Sequence, residues 1–234
     1  DSKYLASAER GGQFLIRVQG NGAGSNLKQQ GAWAQQYKDN MPEWARAFEP
    51  PAMCSSQTGA AIRMLMELYL YTSNETYLDP IPDAISWLND TNTTIEYPES
   101  SGTYQWGRLY EIETNRWIVG NRNNQETGPI YYYDYDPERD FGYSWIGTYS
   151  INSTIDNYYK LVDDYSKNIT DYINWRNTPP SLSSLNASAT SAYEALNKTY
   201  NYWIYYDTEE ETYMIRDSLF VSNAMKLINL FKEV

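Results

Sequence analysis

The chain has 234 residues, enough for one domain with a sizeable hydrophobic core, and its formal net charge is −12. No cluster of lysine and arginine for phosphate contacts is visible, which argues against a nucleic-acid-binding protein. The sequence contains no histidine. This excludes a Ser-His-Asp triad and a histidine-based zinc site, and it leaves carboxylates as the ligands for any hard cation.

The first part of the chain has the apolar spacing of helices. Residues 4–18, 57–71 and 81–88 each place apolar side chains along one helical face. A glycine-rich stretch over residues 20–31 ends the first segment, and Pro82 falls in the first turn of the third. The second and third segments predict an antiparallel helical hairpin, whose connection carries an exposed Asn74.

The middle of the chain has a different character. Glycines and prolines interrupt the helical period between residues 91 and 148, where residues 116–119 and 130–135 predict short strands or extended loops. Apolar spacing then predicts a long helix over residues 151–172 and further helices over residues 182–203 and 213–231. The expected fold is mainly α: an incomplete (α/α) toroid of antiparallel helical hairpins with an irregular strand/loop segment. Residues 1–148 form one segment, and residues 149–234 form an additional helical region packed on the same domain.

Cysteine and asparagine usage bear on the compartment. Cys54 is the single cysteine, so no intrachain disulfide can form. An excess of Asn-x-Ser/Thr acceptor motifs, together with 24 tyrosines, indicates a glycosylated extracellular or cell-surface protein. Compositional drift is the alternative explanation. The acceptor asparagines are Asn74, Asn89, Asn92, Asn152, Asn168, Asn186 and Asn197.

Membrane and targeting signals are not seen in the sequence. No run of about twenty apolar residues predicts a transmembrane segment. The chain opens in helical pattern with neither an initiator methionine nor a signal sequence. We therefore expect a mature secreted form or a fragment of a longer chain.

A six-residue pattern occurs twice, as WARAFE at residues 44–49 and as WGRLYE at residues 106–111. Each copy places an arginine beside aromatic rings and a carboxylate. An arginine fork binds carboxylates in bidentate geometry, and flat rings stack on sugar faces, so the pattern indicates a site for acidic sugars. The alternative is a structural arginine–glutamate pair shielded by tryptophan.

Several further runs accompany these two motifs in a defined order. They are GAWAQQY at residues 31–37, PEWARAFEPP at 42–51, YLDPIP at 77–82, WL at 87–88, WGRLYEIETNR at 106–116 and GYSW at 142–145. Together they resemble the carboxy-terminal half of family-10 pectate lyases and their relatives, over about residues 1–148. The resemblance implies an (α/α) toroid that cleaves polygalacturonate by β-elimination. In that reaction calcium acidifies the proton beside the uronate carboxylate, and an arginine removes it.

The resemblance assigns roles to individual side chains. Arg108, in the second motif, is the candidate catalytic base. Because a guanidinium is ordinarily protonated, this role needs a second cation or a desolvated pocket nearby. The candidate substrate-binding residues are Arg46, Arg116, Trp33, Trp44 and Trp106.

Calcium is the cofactor that the resemblance implies, with Asp39 and Glu49 as candidate ligands. Lys38 stands where the family commonly places an aspartate ligand. An ammonium at that position would abolish the calcium site unless Asp39 replaces the missing carboxylate. Calcium is therefore expected only on that condition.

Two classes of function remain open from the sequence. The first is an extracellular lyase that acts on uronate polymers. The second is a catalytically inactive lyase-like protein, either a glycosylated surface or filament subunit that self-associates as a homo-oligomer, or a glycan-binding module. Lys38, the acceptor excess and the lack of the family's amino-terminal motifs favour the second class. In both classes the expected partner is an acidic polysaccharide or glycan.

Overall fold

The computed structural model describes residues 2–20, 30–46, 48–91, 105–112, 114–123, 130–134, 145–196, 205–207, 212–214 and 222–227. The chain divides into two compact units, Asp1–Tyr172 and Ile173–Val234. The boundary between the units falls at Tyr172, whereas the sequence analysis divides the chain at residue 148. The first unit extends further because the segment after residue 150 is bonded to its helices: Arg63 Nη1 donates to Thr154 Oγ1 at 2.8 Å.

Three helices precede the sheet-rich part of the first unit, and they confirm the helices predicted from apolar spacing. They are α1 (Ser2–Val18), α2 (Ser55–Thr72) and α3 (Ile81–Asp90). α2 ends where Ser73 adopts a left-handed conformation with φ of 59°. Residues 21–29 of the glycine-rich stretch lie outside the described residues.

A short 3₁₀ turn, Glu75–Tyr77, connects α2 to α3. Exposed Asn74 begins this turn: its Oδ1 accepts hydrogen bonds from the backbone N of Thr76 at 3.1 Å and from the Thr76 hydroxyl at 2.9 Å. Pro82 lies in the first turn of α3, where its missing N–H leaves no helical hydrogen bond unmade. The turn therefore brings α3 back beside α2, as the sequence analysis expects for this connection.

Short antiparallel strands carry the middle of the chain. They are β1 (Tyr37–Lys38), β2 (Met41–Pro42), β3 (Ala52–Cys54), β4 (Trp106–Gly107), β5 (Leu109–Glu111), β6 (Trp117–Asn123), β7 (Ile130–Asp134) and β8 (Ile146–Gly147). One sheet has the order β3-β5-β6-β7, with Cys54 opposite Leu109 and Leu109 opposite Ile118. β1 pairs with β2, and β4 pairs with β8. Strands β6 and β7 confirm the extended segments predicted at residues 116–119 and 130–135.

This sheet packs its apolar side chains into a common core. The core cluster contains Ala52, Cys54, Leu109, Ile118, Val119 and Trp145. Gly120 of β6 allows the turn of the first motif to lie directly on the sheet. A Cβ at this position would overlap the carbonyl oxygen of Phe48 and lie 3.2 Å from Pro50 Cδ. The lack of a side chain at Gly120 therefore allows the backbone of that turn to pack directly against β6.

The long helix predicted over residues 151–172 is wrong in its middle. The segment forms α4 (Ile151–Tyr159), a π-helical turn (Lys160–Asp164) and α5 (Ile169–Arg176). Ser166 and Lys167 have positive φ values of 47° and 62°, which end the helical path. All three polar groups of Lys167 have partners: its backbone N donates to Leu161 O at 2.8 Å, its carbonyl accepts from Tyr69 Oη at 2.9 Å, and its Nζ lies 2.5 Å from Glu75 Oε2. Apolar periodicity could not reveal this interruption.

The second unit corrects two further helix predictions. Helix α6 spans Leu182–Glu194, so it ends before residue 203. Strands β9 (Tyr205–Asp207) and β10 (Thr212–Met214) pair antiparallel, so the predicted helix of residues 213–231 does not begin at Tyr213. Residues 222–227 are helical within that interval. Tyrosines have a high preference for strands, and here that preference outweighs the helical spacing.

Among the residues that the structure describes, no helix combines the length and apolarity needed to cross a membrane. The (α/α) toroid stays a prediction.

Adjacent glycines in α1 give a matched test of its packing. Gly12 is buried: a Cβ there would overlap Leu68 Cδ1 and lie 2.7 Å from Tyr77 Cε1, whereas a Cβ at exposed Gly11 would meet nothing within 4 Å. We expect Gly12→Ala to lower the free energy of unfolding by about 1–3 kcal/mol through overpacking. Gly11→Ala should raise it by about 0.5–1 kcal/mol, because alanine is the better helix former. Urea unfolding measures both, and a Gly12→Ala protein as stable as Gly11→Ala would contradict this packing.

Candidate functional site

The first motif folds into a turn that closes on its own arginine and glutamate. Arg46 Nε donates to Glu49 Oε2 at 2.7 Å, and Arg46 Nη2 donates to Glu49 Oε1 at 2.5 Å. The backbone N of Arg46 also donates to Glu49 Oε2 at 3.1 Å. The Arg46 side chain is 62% exposed while that of Glu49 is 6% exposed, and the Arg46 guanidinium lies 4.9 Å from the centroid of the Phe48 ring. Arg46 thus makes the predicted bidentate contact with a carboxylate, but that carboxylate belongs to Glu49 rather than to a bound sugar.

The second motif has a different backbone. Trp106 lies in β4 and Glu111 in β5, with Arg108 between the two strands. The backbone of Arg108 is fixed on both sides, since its N donates to Trp145 O at 2.6 Å and its carbonyl accepts from Ser55 N at 3.1 Å. Glu111 accepts a hydrogen bond from the Thr114 hydroxyl at 2.5 Å.

A glutamine that the sequence analysis did not single out joins the two motifs. Gln35 Oε1 accepts from Arg108 Nε at 3.2 Å and from Arg108 Nη2 at 3.1 Å. Gln35 Nε2 donates to Glu49 Oε1 at 2.7 Å. The backbone position of Gln35 is set by its neighbour. Ala34 forms a β-bridge with Met53 of β3, and β3 pairs with β5. Gln35 therefore lies at the edge of the sheet that contains β5, where its side chain reaches both motifs. We call Arg46, Glu49, Gln35 and Arg108 the arginine network.

Two titratable side chains feel the charge of Arg108. Burial raises the pKa of the Cys54 thiol, although the hydrogen bond to Ser56 and the charge of Arg108 partly oppose this. Burial also raises the pKa of Tyr149 to about 12, while the Arg108 charge lowers it in part. Arg108 itself is half-buried. The sequence analysis did not identify Tyr149 as a neighbour of Arg108. The one signal in the sequence is its position four residues after Trp145.

Two of the predicted sugar-binding tryptophans belong to the core. Trp33 is 1% exposed, and its indole N–H donates to Leu15 O in the last turn of α1 at 2.9 Å. Trp106 is 2% exposed, and its indole N–H donates to Leu88 O in the last turn of α3 at 2.7 Å. Both indole N–H groups are thus satisfied by carbonyls of a last helical turn, and the Leu15 carbonyl also accepts from Gln19 N at 3.1 Å. Trp33 and Trp106 are too deeply buried to contact a sugar in this structure. Trp44, which is half-buried and two residues before Arg46, stays a candidate for sugar binding.

The backbone places Arg116 away from Arg108 of the arginine network. It lies in the turn between β5 and β6, at the opposite end of β5 from Arg108. The turn is ordered by Asn115, which has a φ of 55° and whose Oδ1 accepts from Trp87 Nε1 at 2.8 Å. Arg116 is exposed there, so its predicted contact with uronate stays a prediction for a more distant sugar unit.

The structure shows the surroundings of the two candidate calcium ligands. Asp39 is exposed in the two-residue turn between β1 and β2, next to exposed Lys38. Both oxygens of Glu49 accept hydrogen bonds, Oε1 from Arg46 and Gln35 and Oε2 twice from Arg46. Within the described part of the chain, no three cysteine or carboxylate side chains are grouped to hold a metal ion. Calcium dependence stays a prediction, and no step below is assigned to it.

The acceptor asparagines can be placed individually. Asn74, Asn89, Asn168 and Asn186 are exposed, and Asn152 is half-buried in α4. Asn92 and Asn197 lie outside the described residues. Glycosylation at these positions stays a prediction.

The comparison with protein families covers most of the first unit. The model of the pectic acid lyase family matches residues 1–154, a span that includes both motifs and all four members of the arginine network. The chain belongs to the pectic acid lyase family. No curated protein matches the sequence.

Membership in the pectic acid lyase family confirms the resemblance found in the sequence, and the match ends at residue 154 rather than at residue 148. It indicates a polysaccharide lyase-like protein with an acidic polysaccharide as the partner class. The arginine network is thus the part of this pectic acid lyase family member that joins its two repeated motifs.

Removal of the Glu49 carboxylate tests whether it organises the network. Glu49→Ala leaves Arg46 and Gln35 without their buried acceptor, so we expect the free energy of unfolding to fall by about 2 kcal/mol. Glu43→Ala is the matched control, because the exposed Glu43 carboxylate accepts a local hydrogen bond from the backbone N of Trp44 at 2.8 Å, and the substitution leaves the backbone carbonyl that accepts from Gln36 Nε2 in place. That change should stay within about 0.5 kcal/mol. Equal losses in urea unfolding would contradict the role assigned to Glu49.

Tyr149 gives a test in alkaline solution. Its pKa is about 12 in the folded protein and 10 ordinarily, so between these values the folded state retains a proton that the unfolded state releases. The free energy of unfolding should therefore fall as pH rises from about 10 to 12. Tyr149→Phe cannot lose this proton, so its stability should fall less over the same interval. Parallel curves for the two proteins in urea unfolding would contradict the raised pKa.

Proposed function

We propose that the chain binds a uronate polymer at the arginine network and cleaves it by β-elimination, with Arg108 as the base. One observation carries this proposal: the arginines of both repeated motifs lie on one hydrogen-bonded network, which keeps Arg46 exposed and Arg108 half-buried. Membership in the pectic acid lyase family supports the same reaction class.

The proposed reaction breaks a glycosidic bond without water addition. Arg108 takes the proton from the carbon that bears the uronate carboxylate. The electron pair of that C–H bond forms a carbon–carbon double bond with the neighbouring ring carbon, whose bond to the glycosidic oxygen breaks. The departing oxygen takes a proton from solvent, and Arg108 later returns its proton to solvent.

The base role makes one demand on Arg108. A guanidinium is protonated in water, so removal of a carbon-bound proton requires that its charged form be disfavoured. Arg108 is half-buried, and bound polymer would exclude more water from it.

The extracellular location and glycosylation belong to the same proposal. Exposed acceptors at Asn74, Asn89, Asn168 and Asn186 support it, because a glycan requires an accessible asparagine. A homo-oligomer or filament is also proposed on the sequence argument alone.

A second candidate is a glycan-binding protein without catalysis. The observation that favours it is the cation chemistry: Lys38 is exposed beside Asp39, and Glu49 is saturated by donors. In that case Arg46 and Arg108 would still attract uronate carboxylates. The polymer would bind and remain intact.

The proposal is tested with polygalacturonate, with and without added calcium, by following the ultraviolet absorbance of the unsaturated product. We expect Arg108→Lys to lower the rate at least about a hundredfold, because a lysine cannot reproduce the two-pronged contact with Gln35. Arg10→Lys is the matched control, since exposed Arg10 of α1 donates only to the Ser7 hydroxyl at 2.8 Å.

Three outcomes separate the candidates. Product formation that Arg108→Lys removes and Arg10→Lys retains supports the lyase. Binding of polymer by calorimetry with a flat absorbance trace favours the non-catalytic protein. A folded chain that neither binds nor cleaves the polymer contradicts both.

A further inference from the structure

We propose that Gln35 is a positioning residue for Arg108, and that buried Glu49 sets its orientation. The proposal rests on the proposed function for its catalytic consequence, but the geometry can be tested without substrate. Gln35 makes hydrogen bonds to one residue of each repeated motif, Glu49 and Arg108. It therefore couples the exposed turn of the first motif to the half-buried arginine of the second.

The amide of Gln35 has one workable orientation. Its N–H donates to Glu49 Oε1 at 2.7 Å, and its oxygen accepts both Arg108 contacts at 3.1 and 3.2 Å. A rotation of the amide by half a turn would direct its oxygen at a carboxylate and its N–H groups at a guanidinium. Both contacts would then be repulsive, because carboxylates only accept and guanidinium groups only donate.

Glu49 is a rigid anchor for this amide. It is 5% exposed, and its carboxylate is fixed by Arg46 through the guanidinium and the backbone N. Hydrogen bonds to an ionised acceptor are shorter and stronger than those between neutral groups. The negative charge also polarises the amide, which makes its oxygen a better acceptor for Arg108.

A neutral amide at this position has a functional consequence. Gln35 is neutral, so it orients Arg108 without adding a negative charge beside the guanidinium. A carboxylate at position 35 would add such a charge and would compete with an anionic ligand such as a uronate. It would also face the Glu49 carboxylate, which accepts a hydrogen bond from the Gln35 amide at 2.7 Å.

Three substitutions of Gln35 distinguish its role in positioning Arg108 from the effect of a charge at position 35. Gln35→Met keeps the length of the side chain but removes both hydrogen bonds. Gln35→Asn keeps the amide but is one methylene too short to reach both partners, and it replaces Gln35→Met if that variant does not fold. Gln35→Glu keeps an acceptor for Arg108, but it adds a charge and loses the N–H that Glu49 accepts. The control is Gln19→Met, because Gln19 also makes two amide hydrogen bonds, to Gly31 O at 2.8 Å and Pro80 O at 2.6 Å, away from the arginine network.

The first measurement is solvent exchange of the Arg108 Nε–H by nuclear magnetic resonance, with the signal assigned by its loss in Arg108→Lys. We expect Gln35→Met or Gln35→Asn to speed this exchange at least about tenfold, since each loses a hydrogen bond to a charged group. Gln19→Met should leave it close to the natural rate. Unchanged exchange in Gln35→Met or Gln35→Asn overturns the proposal.

The second measurement uses trigalacturonate. We expect Gln35→Met to lower kcat about tenfold with little change in KM, because disorder of Arg108 affects the transition state more than the ground state. Gln35→Glu should instead weaken binding at least about tenfold. If the natural protein neither binds nor cleaves the ligand, the proposed function fails and the exchange result alone decides the role of Gln35. A loss in Gln19→Met equal to that in Gln35→Met would overturn the positioning role.

Discussion

The candidate site depends on one buried carboxylate. Glu49 is withdrawn from water, and such a charge is unfavourable unless donors surround it. The turn of residues 44–49 closes so that the guanidinium and the backbone N of Arg46 reach its oxygens, and Gln35 supplies a further donor. Gly120 permits this turn to lie against the sheet. These contacts position Arg108 indirectly, because its guanidinium donates to the amide oxygen of Gln35.

The two copies of the motif show how backbone context changes the chemistry of one pattern. In the first copy a tight turn lets Arg46 meet the glutamate three residues later. In the second copy β5 begins directly after Arg108, and an extended strand carries Glu111 away from it. Arg108 instead donates to the neutral amide oxygen of Gln35. The first copy thus contains an arginine–glutamate ion pair of the kind that the structural alternative describes, while the arginine of the second copy is oriented by an amide.

Much of the fold could be predicted because the signals are local. Apolar spacing identified α1, α2 and α3, and glycine and proline density marked the sheet-forming segment between residues 91 and 148. The predicted helix after residue 151 is interrupted where Ser166 and Lys167 adopt positive φ, and Lys167 there bonds to Tyr69 and Glu75, which are distant in sequence. Tyr206 of β9 lies opposite Tyr213 of β10 in an antiparallel pair, and helical spacing cannot detect such a partner. Trp33 and Trp106 carried a strong aromatic signal, yet their indole N–H groups serve helix ends in the core.

The sequence by itself determined the family, the excluded histidine chemistry and the two arginine motifs, because these depend on residue type and spacing along the chain. Only the tertiary structure decided which groups meet. Gln35, Glu49 and Arg108 come together because Ala34 bridges to β3 and β3 pairs with β5. It also decided that Glu49 serves Arg46 and Gln35, although its residue type equally suits a cation. The physical reason is that a hydrogen-bond partner is chosen by position in space, and strand pairing sets that position across long separations in sequence.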